Sequence, residues 1–327
     1  MTPCLYVASP SYSGSTLLTM LLAAHPEVAT IGEMKGGQEN LATYRCSCGS
    51  LFADCPFWRR LITALEGRGF RYDLGDRRTM PAFRVPSSPL GDLVLRRPFG
   101  SRAYEVTRDA AIAAWPWLRR ELERLLAYNE AFIGEVLRLS GGCVFVDSSK
   151  DGVRIKYLAR IPSLEVRVVQ LVRDGRAVVN SARKNAKETA DRAAAEWRDQ
   201  HLEIERVARR CCNGRLLRVR YEDLCREPAL WAQRILEFGG IQGAVGAAGV
   251  DGSRLHVLGN RMRLKGAQTI RVDQGWCSEL SREDREAFER VAGDLNRGYG
   301  YGEGPSSPAQ TAVPADHEGS RQKRTRC

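Results

Sequence analysis

An apolar strand, a turn of small residues and an apolar helix follow one another in Leu5-Tyr-Val-Ala-Ser-Pro-Ser-Tyr-Ser-Gly-Ser-Thr-Leu-Leu18. Such a turn converges successive backbone N–H groups on one spot, and the helix it opens adds partial positive charge. That geometry suits a phosphate. The Gly-x-x-x-x-Gly-Lys-[Ser/Thr] pattern of nucleoside triphosphatases is absent, however: Ser9 stands at the leading glycine, and Ser15 follows Gly14 where the lysine would be. The loop therefore reads as a cradle for a phosphate-like group other than the γ-phosphate of ATP.

Beyond this loop, strands alternate with helices. Apolar runs at Leu5–Ala8, Val28–Ile31, Val144–Val146, Val166–Val172 and Leu216–Val219 predict strands. Helices are expected at Thr16–Ala24, near Pro56–Leu65, over Ala103–Leu139 with a break at Pro116, at Gly152–Ala159, after Gly175, and at Thr189–Arg210, Pro228–Phe238 and Ser281–Leu295. Leu118, Leu122, Leu125 and Leu126 form one apolar helical face. This alternation predicts an α/β fold, a P-loop-like parallel sheet flanked by helices. Residues 34–140, irregular at first and then helical, read as a mostly helical insertion on the substrate side. One domain is expected over 1–302, followed by a disordered basic tail at 303–327 rich in Gly, Ser, Pro and charge.

In parallel sheets ligands sit beyond the carboxyl ends of the strands. Three polar segments fall there, each just after an apolar strand: Ser9–Ser15, Asp147–Lys150 and Arg173–Ser181. Their coincidence argues for a single nucleotide site.

Together these segments resemble the sulfotransferase superfamily that uses 3′-phosphoadenosine-5′-phosphosulfate, including its bacterial members. Ser11-Tyr-Ser-Gly-Ser-Thr-Leu-Leu18 is similar to the family's 5′-phosphosulfate loop, and Leu171-Val-Arg-Asp-Gly-Arg-Ala-Val-Val-Asn-Ser181 to its 3′-phosphate motif. The resemblance implies cofactor contacts from Ser11, Tyr12, Ser13, Gly14, Ser15 and Thr16 at the 5′ end. It implies that Arg173 and Ser181 hold the 3′-phosphate. Leu22-Ala-Ala-His-Pro-Glu-Val-Ala-Thr-Ile-Gly-Glu33 resembles the branch of protein-tyrosine and some carbohydrate sulfotransferases, in which the final Glu is the proposed base. Ser149-Lys150-Asp151 resembles the segment whose Lys contacts the bridging region. Arg220-Tyr-Glu-Asp-Leu224 is similar to a family element whose Tyr, here Tyr221, lines the adenine pocket. His256-Val-Leu-Gly-Asn-Arg261 resembles a Gly-Asn loop near the cofactor in bacterial members, which adds Asn260 and Arg261.

The implied activity is transfer of a sulfuryl group to an acceptor hydroxyl on a small molecule, glycan or lipid. Glu33 would be the general base and Lys150 would stabilise the leaving phosphate. No metal is required. One position departs from the pattern: Tyr12 stands where many members carry a cation beside the Ser-Gly pair. Backbone amides with Ser13, Ser15, Thr16 and Lys150 replace that cation, or Arg263 or Lys265 does. Two alternatives follow, a P-loop-type kinase and a catalytically impaired nucleotide-binding protein.

The remaining features bound these readings. A net charge of +11 favours anionic ligands, but it is Arg spread along the chain with no nucleic-acid recognition module. No secretion signal and no run of roughly 18 apolar residues is seen, so a cytoplasmic protein is expected. The 10 cysteines are read as thiols rather than a disulfide scaffold. Cys46, Cys48 and Cys55 could supply three zinc ligands, but His25 is the one fourth candidate close in sequence, and Cys-x-Cys is tighter than usual. A local thiol cluster, or a disulfide formed on oxidation, is expected instead. Phe57, Trp58, Trp115 and Trp117 are read as packing residues and, as a group, as the place to seek acceptor specificity.

Overall fold

The computed structural model describes residues 1–34, 43–242, 255–259, 264, 270–302 and 304. Five parallel strands form one sheet: β1 (Thr2–Ala8), β2 (Val28–Gly32), β3 (Val144–Asp147), β4 (Leu164–Val172) and β5 (Leu216–Arg220). Their order across the sheet is β2-β3-β1-β4-β5. From β1 the chain goes out to the edge at β2, returns beside β1 as β3, then crosses to β4 and β5 on the other side. Between β1 and β4 lies the switch point at which such sheets open a ligand crevice.

Alternation along β1 explains how both faces are buried. Leu5 and Val7 pack with Val146, Val169 and Leu171 against α1 (Ser15–Leu22) and, later in the chain, Ile235 and Leu236. Cys4, Tyr6 and Ala8 point to the opposite face. There the inserted helices α2 (Pro56–Gly67), α3 (Pro89–Arg96), α4 (Arg102–Ala114) and α5 (Pro116–Ser140) supply Trp58, Leu61, Leu95, Leu118, Leu122 and Phe132. Pro116 starts α5 as its first residue, so the expected break is a helix boundary.

Following β3 come α6 (Gly152–Leu158), then, after β4, α7 (Gly175–Ala186) and α8 (Ala190–Cys211). The carboxyl-terminal part adds α9 (Tyr221–Arg226), α10 (Pro228–Phe238), α11 (Trp276–Glu279) and α12 (Arg282–Gly298). The ends of α7 and α8 pack on α12 through Val178, Trp197, Phe288 and Tyr299. Helices α3, α9 and α11, of 8, 6 and 4 residues, were not anticipated. The expected tail, 303–327, lies outside the described residues apart from Gly304. Among the described residues no helix is long and apolar enough to cross a membrane. The described cysteines are free thiols.

Candidate active site

The turn from β1 into α1 holds two left-handed residues, Tyr12 at φ 64° and Gly14 at φ 90°. Glycine is required at position 14 on two counts. Its backbone is strained for other residues, and a Cβ there would lie 2.5 Å from the Tyr221 ring. Helix α1 begins with no side-chain cap, so its first amides remain open toward the turn. Ser9 and Ser13 are buried, and their hydroxyls have no hydrogen-bond partner. Ser15 is also buried, Thr16 half-buried, and Ser11 exposed. A buried hydroxyl without a partner is costly, and an anion bound at the α1 amides would satisfy it.

Adjoining this turn are the ends of β2 and β3. Asp147 is fully buried and accepts hydrogen bonds from the Ser149 amide and hydroxyl and from Arg154 Nε at 2.8 Å. Ser149 Oγ in turn accepts from the Met34 amide at 2.9 Å, and the Ser148 amide donates to Gly32 O. This lattice fixes the chain on either side of Glu33 and Lys150. Lys150 sits at φ 56°, which turns its side chain back so that Nζ lies 2.5 Å from Glu33 Oε1. Both side chains retain some exposure, 13% for Lys150 and 14% for Glu33, so the ion pair faces the crevice.

Beyond β4 stands Arg173. Its guanidinium donates to Tyr12 O at 2.8 Å and to the Asp273 carboxylate at 2.8 Å, and lies 4.8 Å from the centre of the Tyr221 ring. Arg173 Nε is buried without a partner. Burial alone would raise the Asp273 carboxyl, but the Gly275 amide and Arg173 outweigh it and hold it below its ordinary value. Ser181 lies further along α7, half-buried, its hydroxyl donating to Ala177 O at 2.9 Å. Glu222 braces the region from behind. It accepts from the Asp174 amide and the Tyr301 hydroxyl, and burial pushes its carboxyl up.

The sequence profile of the sulfotransferase family matches residues 149–244, the stretch that carries Lys150, Arg173, Ser181 and Tyr221. Over that stretch the chain is similar to the sulfotransferase family. Among solved structures it is similar to the sulfotransferase domain of the olefin synthase of Synechococcus PCC 7002, at 18% identity and a TM-score of 0.45, with 91% of this chain and 94% of that one covered. It is also similar to a sulfotransferase of Mycobacterium tuberculosis (13% identity, TM-score 0.43, 89% and 77% covered). A third similar structure is the sulfotransferase of Alicyclobacillus acidocaldarius (12% identity, TM-score 0.38, 91% and 99% covered). No curated protein matches the sequence significantly.

The crevice also contains groups that sequence reasoning missed. A cleft runs from Ser9 and Lys150 past Asp151 and Gly152 to Arg96, Gln200 and Glu203. Glu203 Oε1 accepts from the Phe99 amide at 2.6 Å, and burial lifts its carboxyl to about 7, with the Phe99 amide opposing and Asp151 reinforcing the rise. Only the packing of α8 against Gly152 brings Glu203 there, and nothing in its local sequence signals it. Asp273 was missed for the same reason.

The aromatic residues pack, as each was expected to, and the expectation for the cysteine cluster changes. Phe57 and Trp58 are core residues, 3% and 0% exposed, and Trp58 stacks on Tyr72, so neither lines the crevice. Trp115 and Trp117 pair with each other, ring centres 5.8 Å apart, and Trp117 is exposed. The fourth group beside Cys46, Cys48 and Cys55 is His256, not His25. Asn260, Arg261, Arg263 and Lys265 lie outside the described residues.

Proposed function

We propose that this protein is a sulfotransferase that moves a sulfuryl group from 3′-phosphoadenosine-5′-phosphosulfate to an acceptor hydroxyl of a small molecule, glycan or lipid. One observation carries the reading: buried, unpartnered donors stand at two separate points of the crevice, Ser9 and Ser13 at the β1 turn and Arg173 Nε at the β4 end. A ligand with anionic groups at both ends satisfies both. Ser13, Gly14, Ser15 and Thr16 would hold its 5′ end through hydroxyls and α1 amides. Arg173 and Ser181 would hold the 3′-phosphate, and Tyr221 would pack beside the base. Arg suits that task because its planar fork bonds two oxygens at once.

When bound, the donor supplies an activated sulfuryl group. Glu33 then accepts the acceptor's hydroxyl proton, and Lys150, released from Glu33, turns its ammonium to the oxygen that takes up charge. The 2.5 Å contact between Lys150 and Glu33 brings the two functions within one side-chain rotation of each other. As in phosphoryl transfer, the protein's work is positioning and charge stabilisation. A kinase reading is disfavoured because Ser15 stands where ATP-binding loops carry lysine.

The deciding experiment incubates the full chain with sulfate-labelled donor and a panel of phenolic, sugar and lipid hydroxyls. Label transfer that is lost in Glu33→Gln and Lys150→Ala is expected. Retention of full transfer in both variants would overturn the assignment. Donor binding without transfer to any acceptor would favour the non-catalytic alternative, to which Tyr12 in place of a cation points.

A further inference from the structure

Cys46, Cys48, Cys55 and His256 bring one ligand atom each into a group whose members all lie within 4.8 Å of one another. Three of the six separations are 3.8 Å between the Cys48 and Cys55 sulfurs, 3.5 Å from Cys46 Sγ to His256 Nδ1, and 3.3 Å from Cys55 Sγ to the same nitrogen. Zinc–sulfur bonds of about 2.3 Å and zinc–nitrogen bonds of about 2.0–2.1 Å set the edges of a coordination tetrahedron. Those edges are about 3.8 Å for sulfur–sulfur and about 3.6 Å for sulfur–nitrogen. These three separations lie within about 0.3 Å of those edges.

We propose that these four side chains form a structural zinc site that ties the inserted region to the segment carrying His256. The site is independent of the sulfuryl-transfer reading, because none of its ligands belongs to the crevice residues.

The surrounding chain is arranged to present these atoms. The Gly49 amide donates to Cys46 O, and the Cys46 amide to Ser50 O, so a tight turn carries Cys46 and Cys48 on one side. This overcomes the close Cys-x-Cys spacing. Cys55 is the N-cap of α2, which places its sulfur at the start of that helix. Cys46 and Cys55 are fully buried. The His256 ring stacks flat on buried Phe57, centres 4.4 Å apart and planes within 4°, which fixes the direction of its Nδ1. Ser47 Oγ accepts from the Val257 amide at 2.8 Å and also bonds Leu255 O, holding the backbone on either side of His256. Four protein ligands leave no open coordination position, which marks a structural rather than a catalytic centre. Binding would release the thiol protons to solvent.

The placement gives the metal a task. Immediately after His256, the Leu258 amide donates to Ile31 O at 2.7 Å, and Gly32 bridges Leu258. Gly259 then passes Glu33 so closely that a Cβ on it would meet the Glu33 carboxyl at 3.4 Å. A zinc ion joining residues 210 positions apart would therefore clamp the strand-like segment that flanks Glu33.

The test uses the reduced full-length chain purified from zinc-supplemented cells. Elemental analysis should return one zinc per chain, released when a mercurial titrates the thiols. Replacement by cobalt should give the intense visible bands of tetrahedral thiolate coordination. Cys46→Ser, Cys55→Ser and His256→Ala should each lose stoichiometric metal, and hydrogen exchange of the Leu258 amide should accelerate. Should those variants fail to fold, His256→Cys keeps the question open to test, because it should retain the metal and move the cobalt bands to longer wavelength. Zinc far below stoichiometry with no cobalt uptake would overturn the proposal. So would metal content that none of the substitutions alters, or peptide mapping of the native chain that finds Cys48 and Cys55 joined as a disulfide.

Discussion

Glu33 and Lys150 do opposite work in the proposed reaction, yet they meet in one ion pair. Removing either should therefore separate chemistry from folding. Glu33→Gln is expected to lower kcat by about 10²–10⁴-fold, the range for a lost general base, with the melting temperature little changed. Steady-state kinetics beside thermal denaturation checks both halves. Glu203 makes a different prediction. Its carboxyl rises from 4.5 to about 7, chiefly because it is buried. An acid whose pKa is higher in the folded than in the unfolded chain stabilises the fold fully below the unfolded value. That stability is lost as pH rises toward the folded value. The loss should thus run from 4.5 to about 7 and amount to about 3 kcal/mol. Glu203→Gln should remove this slope while keeping an acceptor for the Phe99 amide. Urea midpoints at about pH 4 and about pH 8 should then converge, and an unchanged slope would place the titration elsewhere. Glu33 and Lys150 were legible because each sits in a short motif at a strand end. Glu203 was not, because its burial depends on Gly152 approaching from another helix.

The turn between β1 and α1 is the most tightly specified local structure. Gly14 combines φ 90° with a Tyr221 ring 2.5 Å from any added Cβ. Gly14→Ala should cost about 1–3 kcal/mol in denaturant unfolding and weaken nucleotide binding. The double variant with Tyr221→Ala should recover the steric share and leave the backbone share. Simple additivity in the double-mutant cycle would show that the ring and the turn do not meet as described. The strands were legible from apolar runs, since a strand buried on both faces has no polar alternation to blur it. Long amphipathic helices such as α8 and α12 were equally clear. The first half of the insertion was not, because Trp58, Tyr72, Phe83 and Phe132 are made into a core by contacts distant in sequence. The cysteine cluster shows the same limit. Its fourth member stands 201 positions from Cys55, and contacts such as the β2-to-Leu258 pairing bring it near.

Sheet order decides which chain segments share the crevice. With β1 between β3 and β4, the β1–α1 turn, the Glu33–Lys150 pair and Arg173 become neighbours although they span about half of the chain. The strand ends could be named from sequence, but their order across the sheet could not. One consequence concerns charge. Arg173 is bound to Asp273, whose side chain is 62% exposed, and the proposed 3′-phosphate would compete for the same guanidinium. Binding must then break an existing ion pair, and an acid beside the phosphate adds repulsion. With the carboxylate partner exposed, that opposition is worth about 1 kcal/mol or less, a factor of up to about five in affinity. Asp273→Ala should accordingly tighten binding of 3′-phosphoadenosine-5′-phosphate, most at low salt, where screening is weakest. Arg173→Ala should weaken it by more than about tenfold, since a charge-assisted hydrogen bond contributes about 1.5–3 kcal/mol. The same two variants should barely change the affinity for an adenosine 5′-phosphate that lacks the 3′ group. Titration calorimetry with both nucleotides therefore isolates the 3′ end. If Asp273→Ala weakened binding, the carboxylate would be orienting Arg173 rather than occupying it, and the seat of the 3′-phosphate would lie elsewhere on the β4 edge.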